Sequence, residues 1–210
     1  MKNYRAIAVV IAVWSISAVT VFAQAAGSSN AAKPAQSAAA ASPPTIASVL
    51  DRQLSGIERN ILGAAEAIPE DKYDFSPATA NIPGDFKTPS PVRTMGEQFK
   101  HIGDTLEAFA SGILGEKRAE SPDENGPKNV KTKQDVINYV KAAFAKGHSA
   151  INTLNQQNVV EQIQSPFGNN KVTRLALATG MIGHSNNHYG QIIEYLRMNS
   201  IVPPESQPRK

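Results

Sequence analysis

From about residue 45 onward, apolar side chains recur three or four positions apart, the period that lines one face of an α-helix. In the first such stretch Ile46, Val49, Leu50, Leu54, Ile57, Ile61, Ala64 and Ile68 share a face. Pro69 ends it, because proline lacks an N–H and its ring clashes with the preceding turn. A second stripe, Met95, Phe99, Ile102, Leu106, Phe109 and Ile113, alternates steps of four and three. Two start signals precede it, Ser90 followed by Pro91, and Thr94 with Glu97 as a capping box, and Gly115 closes it. The third stretch starts at Thr132 with Asp135 in its first turn and aligns Val136, Val140, Ala143, Phe144, Gly147, Ile151 and Leu154. The fourth runs from about Val172 to Asn199 and stops before Val202, Pro203 and Pro204.

The connections differ in character. Residues 69–91 carry five prolines, which exclude a continuous helix, yet also Tyr73, Phe75 and Phe86, whose rings favour burial. An ordered connection of that length inside a compact domain is unusual and often functional. Residues 116–131 are polar and read as a surface loop, and a shorter loop holds Ser165, Pro166, Phe167 and Gly168. No stretch alternates with period two and no hairpin signal is present, so the fold class is all-α. Four amphipathic helices of roughly 20 to 27 residues pack naturally as a four-helix bundle.

The first two dozen residues read as an address. Lys2 and Arg5 precede an apolar run from Ala6 to Ala23, the layout of a signal peptide over residues 1–23. Val21 and Ala23 offer one cleavage junction before Gln24, and Ala23 and Ala25 a second. An uncleaved membrane anchor is the rival reading, since the run has eighteen residues, but the small-residue pattern favours cleavage. Residues 24–44 contain Ala, Ser, Gly, Gln, Asn and Pro, with Lys33 as the one charge, the composition of a flexible linker. The expectation is therefore an exported domain over residues 45–206, destined for the periplasm or the medium, with no stable membrane insertion after cleavage.

Composition narrows the classes. There is no cysteine, so neither disulfides nor a lipoprotein anchor is available, and the domain depends on its apolar core, which a bound metal can supplement. About 165 residues suffice for one core. The pI of 9.1 suggests nucleic acid, but removing Lys2 and Arg5 leaves 19 basic against 18 acidic residues, a net of +1. Without a polybasic block, nucleic acid is not an expected partner.

The fourth helix holds the candidate chemistry. Leu175, Ala178, Ile182, Ser185, Tyr189, Ile192 and Leu196 form one seam. Leu177, Met181, His184, His188, Gln191 and Tyr195 form a second beside it, and both should face the interior. His184 and His188 are then stacked one turn apart, where two imidazoles can point at one ion. Such a pair alone is a weak signal, since buried histidines more often hydrogen-bond within a core. A third imidazole would make a site with an open coordination position, as in catalytic zinc centres. His101, beside Phe99 and Ile102, and His148, beside Phe144 and Ile151, both qualify by position.

The run GHSNNHYGQIIEYLRMNSIVPPES, residues 183–206, resembles the closing segment of the DinB-like superfamily of metalloenzymes. There a histidine pair precedes Gly-Gln and the helix finishes in Tyr-Leu-Arg and Pro-Pro. TMGEQFKHIGDTLEAF, residues 94–109, resembles the family's second helix with its single histidine. The resemblance implies an up-down-down-up four-helix bundle and selects His101, His184 and His188 as metal ligands, leaving His148 an ordinary helix residue. It also implies a homodimer and, by analogy with characterised members, thiol-dependent transfer or isomerisation, whereas export makes a hydrolytic reaction at least as plausible.

Zinc or nickel suits an all-imidazole divalent-metal site, and iron, manganese or copper is compatible. Gln191 is either a support of the open position or a satisfied polar seam residue. Asp104 and Glu97 lie within a turn of His101 but opposite the core stripe, which favours solvation over orienting its ring. Tyr189 and Tyr195 read as packing residues, and Arg197 as a partner for a carboxylate. The expected role is a metal-dependent enzyme, hydrolase-like or thiol-transferase-like, acting on a small molecule. The alternative is a non-catalytic metal- or ligand-binding protein. No glutamate lies within the histidine pair, as it does in HExxH, so the catalytic residues and enzyme status stay open.

Overall fold

The computed structural model describes residues 43–80, 82, 84, 91–118 and 123–208. The expected signal peptide, the expected linker except Pro43 and Pro44, and also Phe86 and Ser90, lie outside the described residues. Four helices form where the apolar period places them: α1 Ile46–Ala67, α2 Met95–Leu114, α3 Lys133–Ile151 and α4 Arg174–Met198.

Each start is set by a threonine whose hydroxyl accepts from the N–H three residues on, satisfying a donor the helix cannot. Thr45, Thr94 and Thr132 complete reciprocal capping boxes with Ser48, Glu97 and Asp135. Thr94, not Ser90 with Pro91, is thus the start of α2. That helix stops at Gly115, whose φ of 72° is a left-handed conformation that suits glycine.

α1 packs against α3 and α4, and α2 packs against the same two helices. Between them lies a core in which Leu54, Ile61, Phe99, Ile102, Phe144 and Met181 are fully buried. Two members of the first stripe depart from expectation, with Ile46 36% and Val49 45% exposed. Helical period sets the direction a side chain faces, not whether a neighbour reaches it. Phe109 is half-buried, its ring edge-on to Phe167 at 4.6 Å between centroids.

The connection after α1 is docked where it is described. Tyr73 is buried, its hydroxyl donates to the Ala65 carbonyl at 2.8 Å, and its ring stacks on Phe99. The carbonyls of Phe75 and Tyr73 accept from Met95 and Gly96, both at 2.8 Å, so the connection satisfies two of the unpaired N–H groups at the start of α2.

The expectation of no strand is corrected by a small antiparallel hairpin, β1 Gln162–Gln164 and β2 Lys171–Thr173, with Ile163 opposite Val172. Three residues per strand are too few for a period-two pattern to emerge from the sequence. The hairpin moves the start of α4 to Arg174, with Thr173 both ending β2 and capping the helix. Arg174 then donates to the Ile113 carbonyl and to Glu161, fastening the head of α4 to the tail of α2. Among the described residues no helix is long and apolar enough to cross a membrane.

Candidate functional site

α2 supplies His101, and α4 supplies His184 and His188 from consecutive turns. Each offers a ring nitrogen, and the three nitrogens lie within 4.8 Å of one another. The ring centroids are 5.1 Å apart for His101 and His184, 4.6 Å for His101 and His188, and 4.4 Å for His184 and His188. His188 is the deepest at 8% exposure, while His101 and His184 are half-buried.

Hydrogen bonds around the cluster engage the Nδ1 of each ring. His188 Nδ1 lies 2.8 Å from Gln98 Oε1, an oxygen that can only accept, so Nδ1 donates. His101 Nδ1 likewise donates to the Glu124 carbonyl at 2.6 Å. His184 Nδ1 meets Thr105 Oγ1 at 3.1 Å, and the hydroxyl also reaches the His101 and Ile102 carbonyls at 2.9 and 3.1 Å, so it accepts from Nδ1 when its own proton goes to a carbonyl. With Nδ1 donating, the neutral rings of His101 and His188 keep Nε2 as an unprotonated lone pair, and His184 does the same in the tautomer that donates to Thr105, the form a metal ligand requires.

Electrostatics keep the rings neutral. Burial, then the neighbouring His184 and His101 and the Arg93 cation, hold His188 down at about 3. Burial, then His101 and Arg93, hold His184 at about 4. His101 is also lowered, chiefly by burial, against the raising effect of its bond to the Glu124 carbonyl. Among the described residues the cluster contains three imidazoles and no carboxylate.

Behind His188 runs a chain of amides, of which the sequence-based expectations included Gln191 but not Gln98 or Asn187. Gln98 Nε2 donates to Gln191 Oε1 at 2.9 Å, and Gln191 Nε2 donates to Asn187 Oδ1 at 2.8 Å. Gln98 is itself buried. The signal available for it was its place three residues before His101, the spacing that puts two side chains on one helix face. Gln191, expected in an inward seam, is exposed and bonds to Gln98 and Asn187.

Other expectations resolve one by one. His148 is apart from the cluster, with Nδ1 2.6 Å from Asp51 and Nε2 3.1 Å from Glu58, and it ties α3 to α1. Burial opposes its charge, but the two carboxylates outweigh burial and raise its pKa. Asp104 corrects the expectation of solvation: it is 7% exposed and bound by Arg118 at 2.5 Å. A polar residue off the apolar stripe can be buried once a distant cation pairs with it. Glu97 caps α2, Tyr195 donates to the Arg93 carbonyl at 3.0 Å, and Arg197 pairs with Glu194 at 2.8 Å. Beside the cluster opens a cavity of about 580 Å³, with Arg93, Gln98, Glu124 and Gln191 in its wall. Two of those wall residues bond to the candidate ligands, Gln98 to His188 and Glu124 to His101.

Comparison with known proteins gives one family: the model described as the DinB superfamily matches residues 53–192. The fold is similar to the crystal structure of a DinB-like protein from Bacillus cereus, with TM-score 0.56 and 14% identity over 74% of this chain and 93% of that one. It is also similar to a DinB-like protein, YjoA, from Bacillus subtilis, with TM-score 0.54 and 20% identity over 77% of this chain and 99% of that one. At these identities the likeness is one of fold. No curated protein matches the sequence.

Proposed function

The chain belongs to the DinB superfamily, and we propose that it holds one divalent metal ion on Nε2 of His101, His184 and His188 and acts with it on a small molecule. The observation that carries this reading is the convergence of three ring nitrogens within 4.8 Å, with the Nδ1 of each ring hydrogen-bonded to a separate group. Without a partner, so many buried lone pairs would be costly to desolvate. Zinc or nickel suits the donor set best, with iron, manganese or copper next. Because neutral imidazoles leave its positive charge uncompensated, a bound ion would polarise a carbonyl or acidify a thiol or water. The chain's own part is to orient the rings through Gln98, Thr105 and the Glu124 carbonyl, and to accommodate the small molecule in the adjoining cavity.

The reading extends to an exported protein, cleaved after Ala23 and carried on the linker before α1, with nucleic acid no part of its function. We also infer the up-down-down-up chain order and a homodimer, both on the family resemblance. A second reading, a non-catalytic metal- or ligand-binding protein, is favoured by the lack, among the described residues, of a carboxylate within the histidine cluster to serve as a general base.

The test is metal analysis of the mature protein purified without an affinity tag, beside His101→Ala, His184→Ala and His188→Ala. Near-stoichiometric metal, lost in each variant, is the expected result; absence of metal, or its survival in all three, overturns the proposal. Esters, amides and thiol acceptors then separate the two readings. Turnover that tracks metal occupancy marks an enzyme, and tight binding without turnover marks a binder.

A further inference from the structure

Arg93 lines the cavity beside the histidines with a guanidinium whose hydrogen-bonding capacity is largely unspent. Its Nη2 makes two long contacts of 3.4 Å, to the carbonyl and to the Oε2 of Glu124. Its Nε is closed off from solvent and has no hydrogen-bond partner among the described residues. A guanidinium presents its N–H groups as a planar fork that matches a carboxylate, so a site that leaves such a fork half-used lacks a partner.

Among the described residues, the one carboxylate that approaches it is a poor one. The Glu124 side chain is 91% exposed, so its pairing with Arg93 at 3.4 Å is weak and screened by water. The other acid in the cavity wall, Glu97, is committed through Oε2 to the backbone N–H of Thr94 at 2.8 Å. Glu124 also bonds His101 through its main chain, so the residue that loosely occupies Arg93 adjoins the candidate metal ligands. A cavity of about 580 Å³ has the dimensions of a small-molecule site.

The geometry points to Arg93 as the anchor for a carboxylate on the small molecule, which takes the place of the Glu124 side chain while its other end faces the three histidines. This inference rests on the metal site proposed above and names the class of ligand that site would take: a short molecule with a carboxylate at one end and a metal-seeking or reactive group at the other. A planar carboxylate is favoured over a phosphate because the stand-in already at Arg93 is itself a carboxylate.

Isothermal titration of zinc-loaded protein with 3-mercaptopropionate and with its neutral counterpart, 3-mercaptopropionamide, tests it. The wild-type protein is expected to prefer the acid at least tenfold. Arg93→Met should bring the two ligands level by weakening the acid alone, Arg93→Lys should retain part of the preference, and Glu124→Gln should tighten the acid by removing its competitor. Stoichiometric zinc with no preference for the acid, or a preference that survives in Arg93→Met, overturns the anchor while leaving the metal site standing. Failure of the wild-type protein to bind zinc overturns both. Should Arg93→Met fail to fold, a preference unchanged in both Arg93→Lys and Glu124→Gln is itself sufficient to overturn the anchor.

Discussion

At His188, a glutamine one helix away decides which ring nitrogen carries the proton, and therefore which one is free to bind. Leucine at position 98 would fill a similar space without accepting that proton. Gln98→Leu is expected to weaken zinc binding about 10- to 100-fold, the usual effect of losing an orienting partner of a metal-bound histidine. Chelator competition measures this, and unchanged helical circular dichroism shows that the fold survives. The same burial makes the metal-free protein sensitive to acid. In the folded state His184 and His188 titrate at about 4 and about 3, below their ordinary 6.5. The unfolded chain therefore takes up protons first as pH falls, so the stability these groups contribute is present above 6.5 and is lost as pH drops toward 4 and 3. Urea unfolding at a series of pH values should show a shallower acid loss in His188→Phe than in the wild type. Equal losses would contradict a depressed His188.

Two glycines separate the intrinsic stability of a helix from its packing against neighbours. Gly56, inside α1, has nothing within 4 Å of where a Cβ would sit. Gly56→Ala should stabilise by up to about 1 kcal/mol through backbone entropy alone. Gly103, in α2, lies against Tyr139 of α3, and a Cβ there would fall 2.5 Å from Tyr139 Cε1. Gly103→Ala gains the same helix propensity but overpacks this crossing at a typical cost of about 1–3 kcal/mol, and the cost wins. Thermal melts should rise for the first variant and fall for the second. His148 works at the same scale, as a clamp from α3 to Asp51 and Glu58 of α1. A helical pattern could nominate it as a ligand, but only the packing of α3 on α1 shows those carboxylates to be its partners.

For the whole molecule, metal binding should appear as stability, because a ligand that binds the native state alone adds RT ln(1 + [L]/Kd). With zinc at 100 times its Kd this is about 2.7 kcal/mol, and for a domain of this size roughly a 5–10 °C rise in melting temperature. Differential scanning calorimetry should find that rise in the wild type and not in His184→Ala. Much of this architecture was legible because local physics carries it. Apolar period placed α1 to α4, Thr94 and Thr132 marked the starts of α2 and α3, and Gly115 marked an end. The histidine pair followed from one helix's own geometry, since i and i+4 side chains meet whatever surrounds them. Across helices that logic stops. Periodicity left His101 and His148 level, and resemblance rather than spacing chose between them. The burial of Asp104 depends on Arg118, fourteen residues on, and the three-residue strands depend on each other. Gln98, Thr105 and the Glu124 carbonyl bond to histidines in other parts of the chain, and beyond the three-residue spacing of Gln98 from His101 no residue pattern announces them. The sequence by itself thus determined the helices and the paired imidazoles of α4. The tertiary structure decided which third histidine joins them, which groups meet their Nδ1 atoms, and that the Arg93 guanidinium stands beside them, because these depend on distances between segments that only packing sets.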